Sequence, residues 1–390
     1  MSSDRFAEAV RLLDRAAGAA YPGAVLAVLW RGDVVVRRAT GRTAAREGAP
    51  AVVPETVYDL ASLTKVVATL PLVLQAVAEG RVALDDPVPV HLPECPHHNV
   101  TIRHLLTHTS GLPAWIPFYL RTMAGDAIVR GAAATPLVAQ PGSQVTYSDI
   151  GFVLLGEIAR RTLGAPLDVL ARKRLYAPLE MTHTGYRPVQ AAAAGQGPGG
   201  AGQASGAAGG GEDLRAIAPT EDGTAVEQHM ARDPRWVEAG RRHTWRRYLI
   251  WGEVHDSNAH AMGGVSGHAG LFGTAEDLLA YARMWLAGGR GPHGPVLEPA
   301  LVRDAITPQT PPPNVRGLGW ALTGEHGWWR DALSPGAFGH TGFTGTSIVV
   351  DQARDLAIVL LSNAVHLGRD RTGILSLRPA IAAAVAAAIA

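Results

Sequence analysis

Strand-like sequence stands at both ends of this chain, and helix-like sequence fills the middle. Near the N-terminus "GAVLAVLW" and "VVVRRAT" flank the tripeptide "RGD". Two β-rich runs about a Gly-containing turn predict an antiparallel hairpin, with Arg31-Gly32-Asp33 as its tip rather than an adhesion signal. Near the C-terminus "GLGWAL", "AFGHTGF", "TGTSIVVD" and "DLAIVLLSN" follow one another as further β-like runs. The simplest architecture joins the two sets in one antiparallel sheet. Terminal helices flank it. Phe6, Val10, Leu13 and Ala17 share one helical face, and an Ala-rich helix closes the chain from about Pro379. "GTAEDLLAYARMWLAGG" predicts one more late helix, with Thr274 as N-cap, Asp277 three residues on and Gly288 past its end.

The middle is different in kind. "VTIRHLLTHTSGL", "DIGFVLLGEIARRTL" and "PLDVLARKRLYAPL" are helix-like segments joined by Pro and Gly loops. The fold class is therefore α+β: an antiparallel sheet flanked by terminal helices, with an inserted all-helical domain. Residues 1–85 and 266–390 form the discontinuous sheet domain, and 86–265 the mainly helical one. An Ala/Gly-rich stretch at about 191–213 has almost nothing to bury and reads as a surface insertion.

The bulk properties exclude several classes of function. A formal charge of +1 gives no basis for nucleic acid or an anionic membrane as partner. The single cysteine, Cys95, rules out a disulfide framework within the chain. Asp4, Arg5, Glu8 and Arg11 interrupt every apolar run at the N-terminus, so no signal-peptide core is present. The longest apolar runs, "VVATLPLVLQAVA" and "PAIAAAVAAAIA", are too short to span a bilayer. The expectation is a soluble cytoplasmic protein, exported only if the true start lies upstream. Oligomeric state is not encoded legibly.

One residue choice points to chemistry. Of 35 basic residues only Lys65 and Lys173 are lysine; the rest are arginine. Arginine cannot release its proton in a protein, whereas a desolvated lysine can. Lys65 lies three residues after Ser62, a spacing that puts both side chains on one helical face. Ser62 follows the strand-like "VYDLA" and opens a helix, where unpaired N–H groups could hold a developing oxyanion. An N-cap serine beside a solvent-facing lysine is the plainer explanation of this pair alone. Two further features add weight. Tyr147 lies in a Gly/Ser-containing loop before a helix, and His340-Thr341-Gly342 lies in a predicted strand, where glycine would admit a substrate backbone.

In this order the features resemble the serine β-lactamase and penicillin-binding-protein superfamily, nearest to class C β-lactamases, DD-carboxypeptidases and related esterases. Ser62-Leu63-Thr64-Lys65 matches S-x-x-K, Tyr147-Ser148-Asp149 matches Y-x-N, and His340-Thr341-Gly342 matches K/H-T-G. "LLTHTSGLP" and "GHAGLFGTAEDL" resemble further strings of that family. The resemblance implies an acyl-enzyme on Ser62, with Lys65 and Tyr147 sharing the proton shuttle. It implies that His340 and Thr341-Gly342 orient substrate, and that the N–H groups of Ser62 and Phe343 form the oxyanion hole. It implies no cofactor and no metal. The substrate would be a small ester, an amide or a short peptide, lying as an extra strand against "HTGF". Esterase, D-amino-acid peptidase and weak β-lactamase activities all fit.

Two departures from the family pattern matter. Asp149 stands where many relatives carry Asn, and its carboxylate should hold Lys65 protonated and shift the base role toward Tyr147. His340 stands where β-lactamases commonly carry Lys, and a neutral imidazole grips a carboxylate less strongly. A non-catalytic β-lactam or peptide binder is the alternative. A metal-dependent hydrolase is the more remote one, built on Cys95, His97 and His98, on His104 and His108 four apart on one helix, or on Glu253, His255, Asp256, His260 and His268.

Overall fold

The apolar runs from the two chain ends do meet in one sheet. The computed structural model describes residues 5–188, 216–324, 327–368 and 372–390. The Ala/Gly-rich stretch at 191–213 lies outside the described residues. The strands of the two larger sheets are, in chain order, β1 (Gly23–Trp30), β2 (Asp33–Gly41), β3 (Tyr58–Asp59), β4 (Gly185–Tyr186), β5 (Leu271–Gly273), β6 (Phe338–Thr341), β7 (Ser347–Asp351) and β8 (Leu356–Ser362). The first sheet runs β2-β1-β8-β7-β6, antiparallel throughout. Its register sets Leu26 opposite Arg38 on one side and Leu360 on the other. Arg31 and Gly32 turn the β1–β2 hairpin with φ of 51° and 81°, the double positive φ that matches the twist of the strands.

Strand β1 is buried along its whole length, because both sheet faces are covered. Its side chains alternate between two cores, as the strand period requires. Leu26 and Val28, with Ile358 and Leu360, face the terminal helices α1 (Ala7–Ala16) and α5 (Thr372–Ile389), meeting Phe6, Leu13, Ile381 and Val385. Val25, Ala27, Val359 and Leu361 face the larger core, which takes in α2 (Leu70–Ala78), α3 (Asp149–Leu163) and α4 (Ala275–Leu286). Strand β2 is an edge, and it carries exposed Arg37 and Arg38 on its two opposite faces, charges that discourage edge-to-edge association. Thr274 caps α4 as its sequence predicts, accepting the Asp277 N–H.

Three local features differ from the sequence expectation. The last helix begins at Thr372 and carries Pro379 inside it. Ile374, Leu377, Ile381 and Val385 follow one buried face, so packing extends the helix upstream of the proline. "GLGWAL" forms no strand. Gly319 has φ of 73° and Gly317 N–H bonds back to Trp320 O at 3.0 Å, making a tight turn with single bridges at Arg316 and Ala321. Within the helix-rich middle, β4 pairs with β5, which pairs on its other side with β3. That small sheet brings residues 267–271 against the Ser62 segment, with Leu60 N–H bonding to Leu271 O at 2.8 Å.

Leu26 sits inside the main sheet, between β2 and β8, with no exposed surface. Leu26→Ala should cost about 2–5 kcal/mol, read as a lower denaturation midpoint at unchanged slope.

Candidate active site

The chain leaves β3 through a strained corner. Ala61 has φ of 47°, a left-handed conformation that costs a non-glycine residue roughly 1 kcal/mol or more. Asp59 holds the corner: one oxygen accepts the Ala61 N–H at 2.8 Å and the other the His255 N–H at 2.8 Å. Burial pushes the Asp59 carboxyl above its ordinary range, against the pull of these two donors. The turn after β6 closes on the same corner. Thr344 Oγ1 donates to Asp59 O at 2.7 Å, and Thr346 Oγ1 to Leu60 O at 3.1 Å. A Cβ on Gly342 would lie 2.5 Å from Leu60 O and overlap the Thr346 hydroxyl, so only glycine lets the two segments approach this closely.

Ser62 therefore precedes its helix, which starts at Leu63. The first turns include a π-helical stretch, Lys65–Thr69, with Leu70 N–H reaching back to Lys65 O. Such stretches are uncommon and gather at functional sites. Thr69 Oγ1 anchors it to Gly267 O at 2.7 Å, and the Tyr281 hydroxyl donates to Val66 O. Lys65 is fully buried. Its Nζ donates to Ser62 Oγ at 2.9 Å and to His268 O at 3.2 Å, and lies 2.7 Å from Asp149 Oδ1. Burial pulls the ammonium down, but Asp149, and with it Tyr147, outweighs this and leaves Lys65 above its ordinary value. The ammonium is the form present at neutral pH, as the carboxylate at 149 leads one to expect.

Tyr147 and Asp149 arrive together at the start of α3. Ser148 is the N-cap, accepting the Gly151 N–H at 3.3 Å and donating to Pro113 O at 2.8 Å. His108 holds the loop from behind: its Nδ1 accepts the Ser148 N–H at 3.0 Å, and its carbonyl the Thr146 N–H at 2.8 Å. The Tyr147 ring sits 4.5 Å from the His108 ring, 5.9 Å from that of His340 and 5.0 Å from Lys65 Nζ, centre to centre or to Nζ. His340 points from the edge strand β6, its Nδ1 2.9 Å from Thr341 O, so Nε2 is the bare nitrogen and has no partner. Burial first, then the nearby cations Lys65 and Arg316, push His340 well below the ordinary histidine range. His108 is depressed in the same way, by burial and then by Arg316 and Lys65. Both imidazoles are neutral at pH 7.

Sequence reasoning misses Arg316. It lies in the turn that "GLGWAL" makes, 6% exposed, with its Cζ 5.6 Å from the Tyr147 ring centre. No motif marks it. Asp59 is missed as well, although it stands three residues before Ser62. The Phe343 ring stacks on His255 at 5.7 Å and 20°.

Most of the histidines weighed as zinc ligands are engaged elsewhere. His104 belongs to a capping box with Thr101 on the helix Ile102–Leu106, while His108 lies past its end with φ of 60°, so the two do not share a helix face. His97 meets Thr135 O at 2.8 Å, His255 meets Glu221 at 2.8 Å, His268 meets Asp256 at 2.9 Å and His260 meets Glu253 at 3.3 Å. Among the described residues no group of three or more His, Cys, Asp or Glu converges as a metal ion requires. Nor is any described helix long and apolar enough to cross a membrane.

Comparison with known proteins shows the family. The beta-lactamase family model matches residues 10–382. The chain belongs to the beta-lactamase family. Among its relatives in that family is an "N-acetylmuramyl-L-alanine amidase" of Bacillus subtilis (strain 168), 30% identical over 94% of this chain and 82% of the relative. A "Putative D-alanyl-D-alanine carboxypeptidase" of Escherichia coli (strain K12) is 30% identical over 93% of this chain and 83% of the relative. The same beta-lactamase fold is seen in EstCE1, described as a hydrolase with promiscuous acyltransferase activity, with a TM-score of 0.71 at 21% identity over 97% and 99% of the two chains. It is also seen in a penicillin-binding protein homologue from Caulobacter crescentus, with a TM-score of 0.68 at 23% identity over 95% and 96%. The expectation of a β-lactamase-related serine hydrolase with an α+β fold holds.

With only two lysines in the chain, Lys65 can be read directly by NMR of protein labelled at lysine Cε. In the wild type its signal should titrate above the ordinary lysine value of about 10.4. In Asp149→Asn, with the opposing charge gone and burial left, it should titrate lower than in the wild type. An unchanged midpoint would remove Asp149 as the partner that sets the charge of Lys65.

Proposed function

We propose that this chain hydrolyses a small ester, an amide or a short peptide through an acyl-enzyme on Ser62. The observation that carries the reading is the Lys65 ammonium, 2.9 Å from Ser62 Oγ and paired with Asp149, beneath a Tyr147 ring only 5.0 Å away. A lysine whose charge is already matched stabilises the serine oxygen as it becomes negative but is poorly placed to act as a free amine. Tyr147 is the base in this reading. It takes the Ser62 proton as Oγ bonds to the carbonyl carbon, then returns it to the leaving oxygen or nitrogen as that bond breaks. Water then attacks the acyl group by the same route in reverse and frees Ser62. The N–H groups of Ser62 and Phe343 receive the carbonyl oxygen. Their proximity is supported by the two threonine hydroxyls that fasten the 342–346 turn to Asp59 and Leu60.

Substrate adds at the outer edge of β6. Ala321 covers that edge at Gly339 through two hydrogen bonds of 3.0 Å, and we place an extended substrate next to it along Thr341–Phe343. His340, neutral and with Nε2 bare, orients a polar group there rather than binding a carboxylate as a lysine would. On the division read from the sequence, residues 1–85 and 266–390 supply Ser62, Lys65 and His340. The helical unit 86–265 supplies Tyr147 and Asp149, which places the site at their junction. The names of the two relatives, an amidase and a carboxypeptidase, favour an amide or D-amino-acid peptide over a β-lactam.

A fluorophosphonate probe should add one covalent mass increment to the wild type, read by intact mass spectrometry, and none to Ser62→Ala. Turnover of p-nitrophenyl esters, nitrocefin and D-alanyl peptides then identifies the substrate class. An adduct that persists in Ser62→Ala would overturn the assignment of the nucleophile.

A further inference from the structure

Arg316 is a buried cation that the reaction as described does not use. Two other shielded arginines of this chain reach backbone carbonyls with their side chains: half-buried Arg246 donates to Val254 O at 2.8 Å, and buried Arg378 to Thr346 O at 2.9 Å. Arg316 is held only through its backbone, its N–H bonding to Thr310 Oγ1 at 2.8 Å and its carbonyl accepting the Gln309 N–H at 2.7 Å. Its side-chain Nε has no acceptor, and among the described residues no carboxylate pairs with it. An arginine cannot shed its proton, so an uncompensated charge at this depth carries a large desolvation cost. What the guanidinium faces is the Tyr147 ring.

The charges around Tyr147 can be counted. Lys65 and Asp149 form one pair 2.7 Å apart and cancel. His108 and His340, the two rings packed on Tyr147, are neutral at pH 7. Arg316 is the remaining charge set against the Tyr147 ring itself, Arg378 lying behind His340 at the 342–346 turn, and an anion beside Arg316 would offset it.

We propose that Arg316 is the positioning residue for Tyr147, its charge set against the ring so as to stabilise negative charge on the side chain that exchanges the Ser62 proton. The inference rests on the reading of Ser62 and Tyr147 given above. Asp149, standing where relatives carry Asn, has consumed the charge of Lys65, and His340, standing where they carry Lys, supplies none. Arg316 restores from a different loop the charge that both departures remove. The transfer balances without any co-reactant: the proton passes from Ser62 Oγ to Tyr147 and later to the leaving group, while Arg316 keeps all of its protons.

The test uses p-nitrophenyl butyrate, a neutral ester, and a penicillin, which bears a carboxylate. Arg316→Met should lower kcat for the neutral ester by about 10–100-fold at pH 7 with KM little changed. It should also move the acid limb of the kcat/KM profile up by about 1–2 pH units. Arg316→Lys should stay within about threefold of the wild type, because the charge is kept. Arg316→Met/Asp149→Asn should recover about tenfold over Arg316→Met, since the double variant frees the charge of Lys65, a rescue that a merely structural arginine would not give. Thermal melts of each variant identify any that misfold, and Arg316→Gln replaces Arg316→Met if it does. An unchanged ester profile in Arg316→Met overturns the proposal. So does a pure rise in KM for the penicillin, which would make Arg316 an anchor for a substrate carboxylate. A wild type that takes no acyl group on Ser62 overturns the reading of the site and this inference together, whereas normal acylation with an insensitive Arg316 overturns this inference alone.

Discussion

The buried ion pair between Lys65 and Asp149 is the constraint around which this site is built. An ammonium with no solvent contact must meet an anion, and removing either partner of such a pair costs roughly 3–5 kcal/mol. The requirement fixes the start of α3 against the Ser62 helix. Much of the surrounding architecture serves that docking: the Ser148 cap, the His108 imidazole behind it and the bond from Asp149 N–H to Ala114 O at 2.9 Å. The pair also determines how charge is shared. Once the ammonium is matched it stays an ammonium, and in the proposed reaction proton exchange passes to the neighbouring Tyr147. The carboxylate at 149 and the imidazole at 340 are thus linked departures. Each removes positive charge from the cleft, while the guanidinium of Arg316 stands against the Tyr147 ring.

The parts of this site legible in the sequence are those whose residue type is improbable for any other purpose. Lys65 stands out in a chain that otherwise prefers arginine, and Ser62 is marked by lying one helical turn before it. Tyr147 and His340 gain meaning only as members of an ordered set. The terminal helices, the hairpin and the cap at Thr274 follow from periodicity and turn chemistry, which are local. Asp59, His108 and Arg316 escape notice because their roles come from contacts at long range. Asp59 acts on the backbone of His255, His108 on a loop near residue 148, and Arg316 on a ring 169 positions earlier in the numbering from 147 to 316. The tight turn at 317–320 escaped because Gly and Leu at alternate positions imitate a strand when the glycine dihedrals are unknown. Pro379 misled for the opposite reason: its local preference is to begin a helix, and the buried face running from Ile374 to Val385 overrides it.

The histidine and carboxylate groups at residues 221–268 are a buttress rather than a second centre. His255 pairs with Glu221 and stacks on Phe343, while its N–H fixes Asp59. His268 pairs with Asp256 and offers its carbonyl to Lys65. Polar residues that resemble a metal cluster in one dimension thus spread into separate pairs in three, each supporting a different wall of the cleft. Such paired networks make a polar interior rigid, as the orientation of Ser62 requires.

The place of β1 in the main sheet has a consequence for biosynthesis. Its inner neighbour β8 is made more than three hundred residues later, since Ala24 pairs with Ser362. Until then an apolar strand emerging first from the ribosome has one ladder of N–H and C=O groups without a mate. Contacts of such sequence separation form slowly, and the interval is one in which the chain can bind itself or others wrongly. The same delay acts as a safeguard. Ser62 is synthesised early, but the turn that fastens its corner arrives only with Thr344 and Thr346, so a half-made chain carries the proposed nucleophile without the corner that holds it.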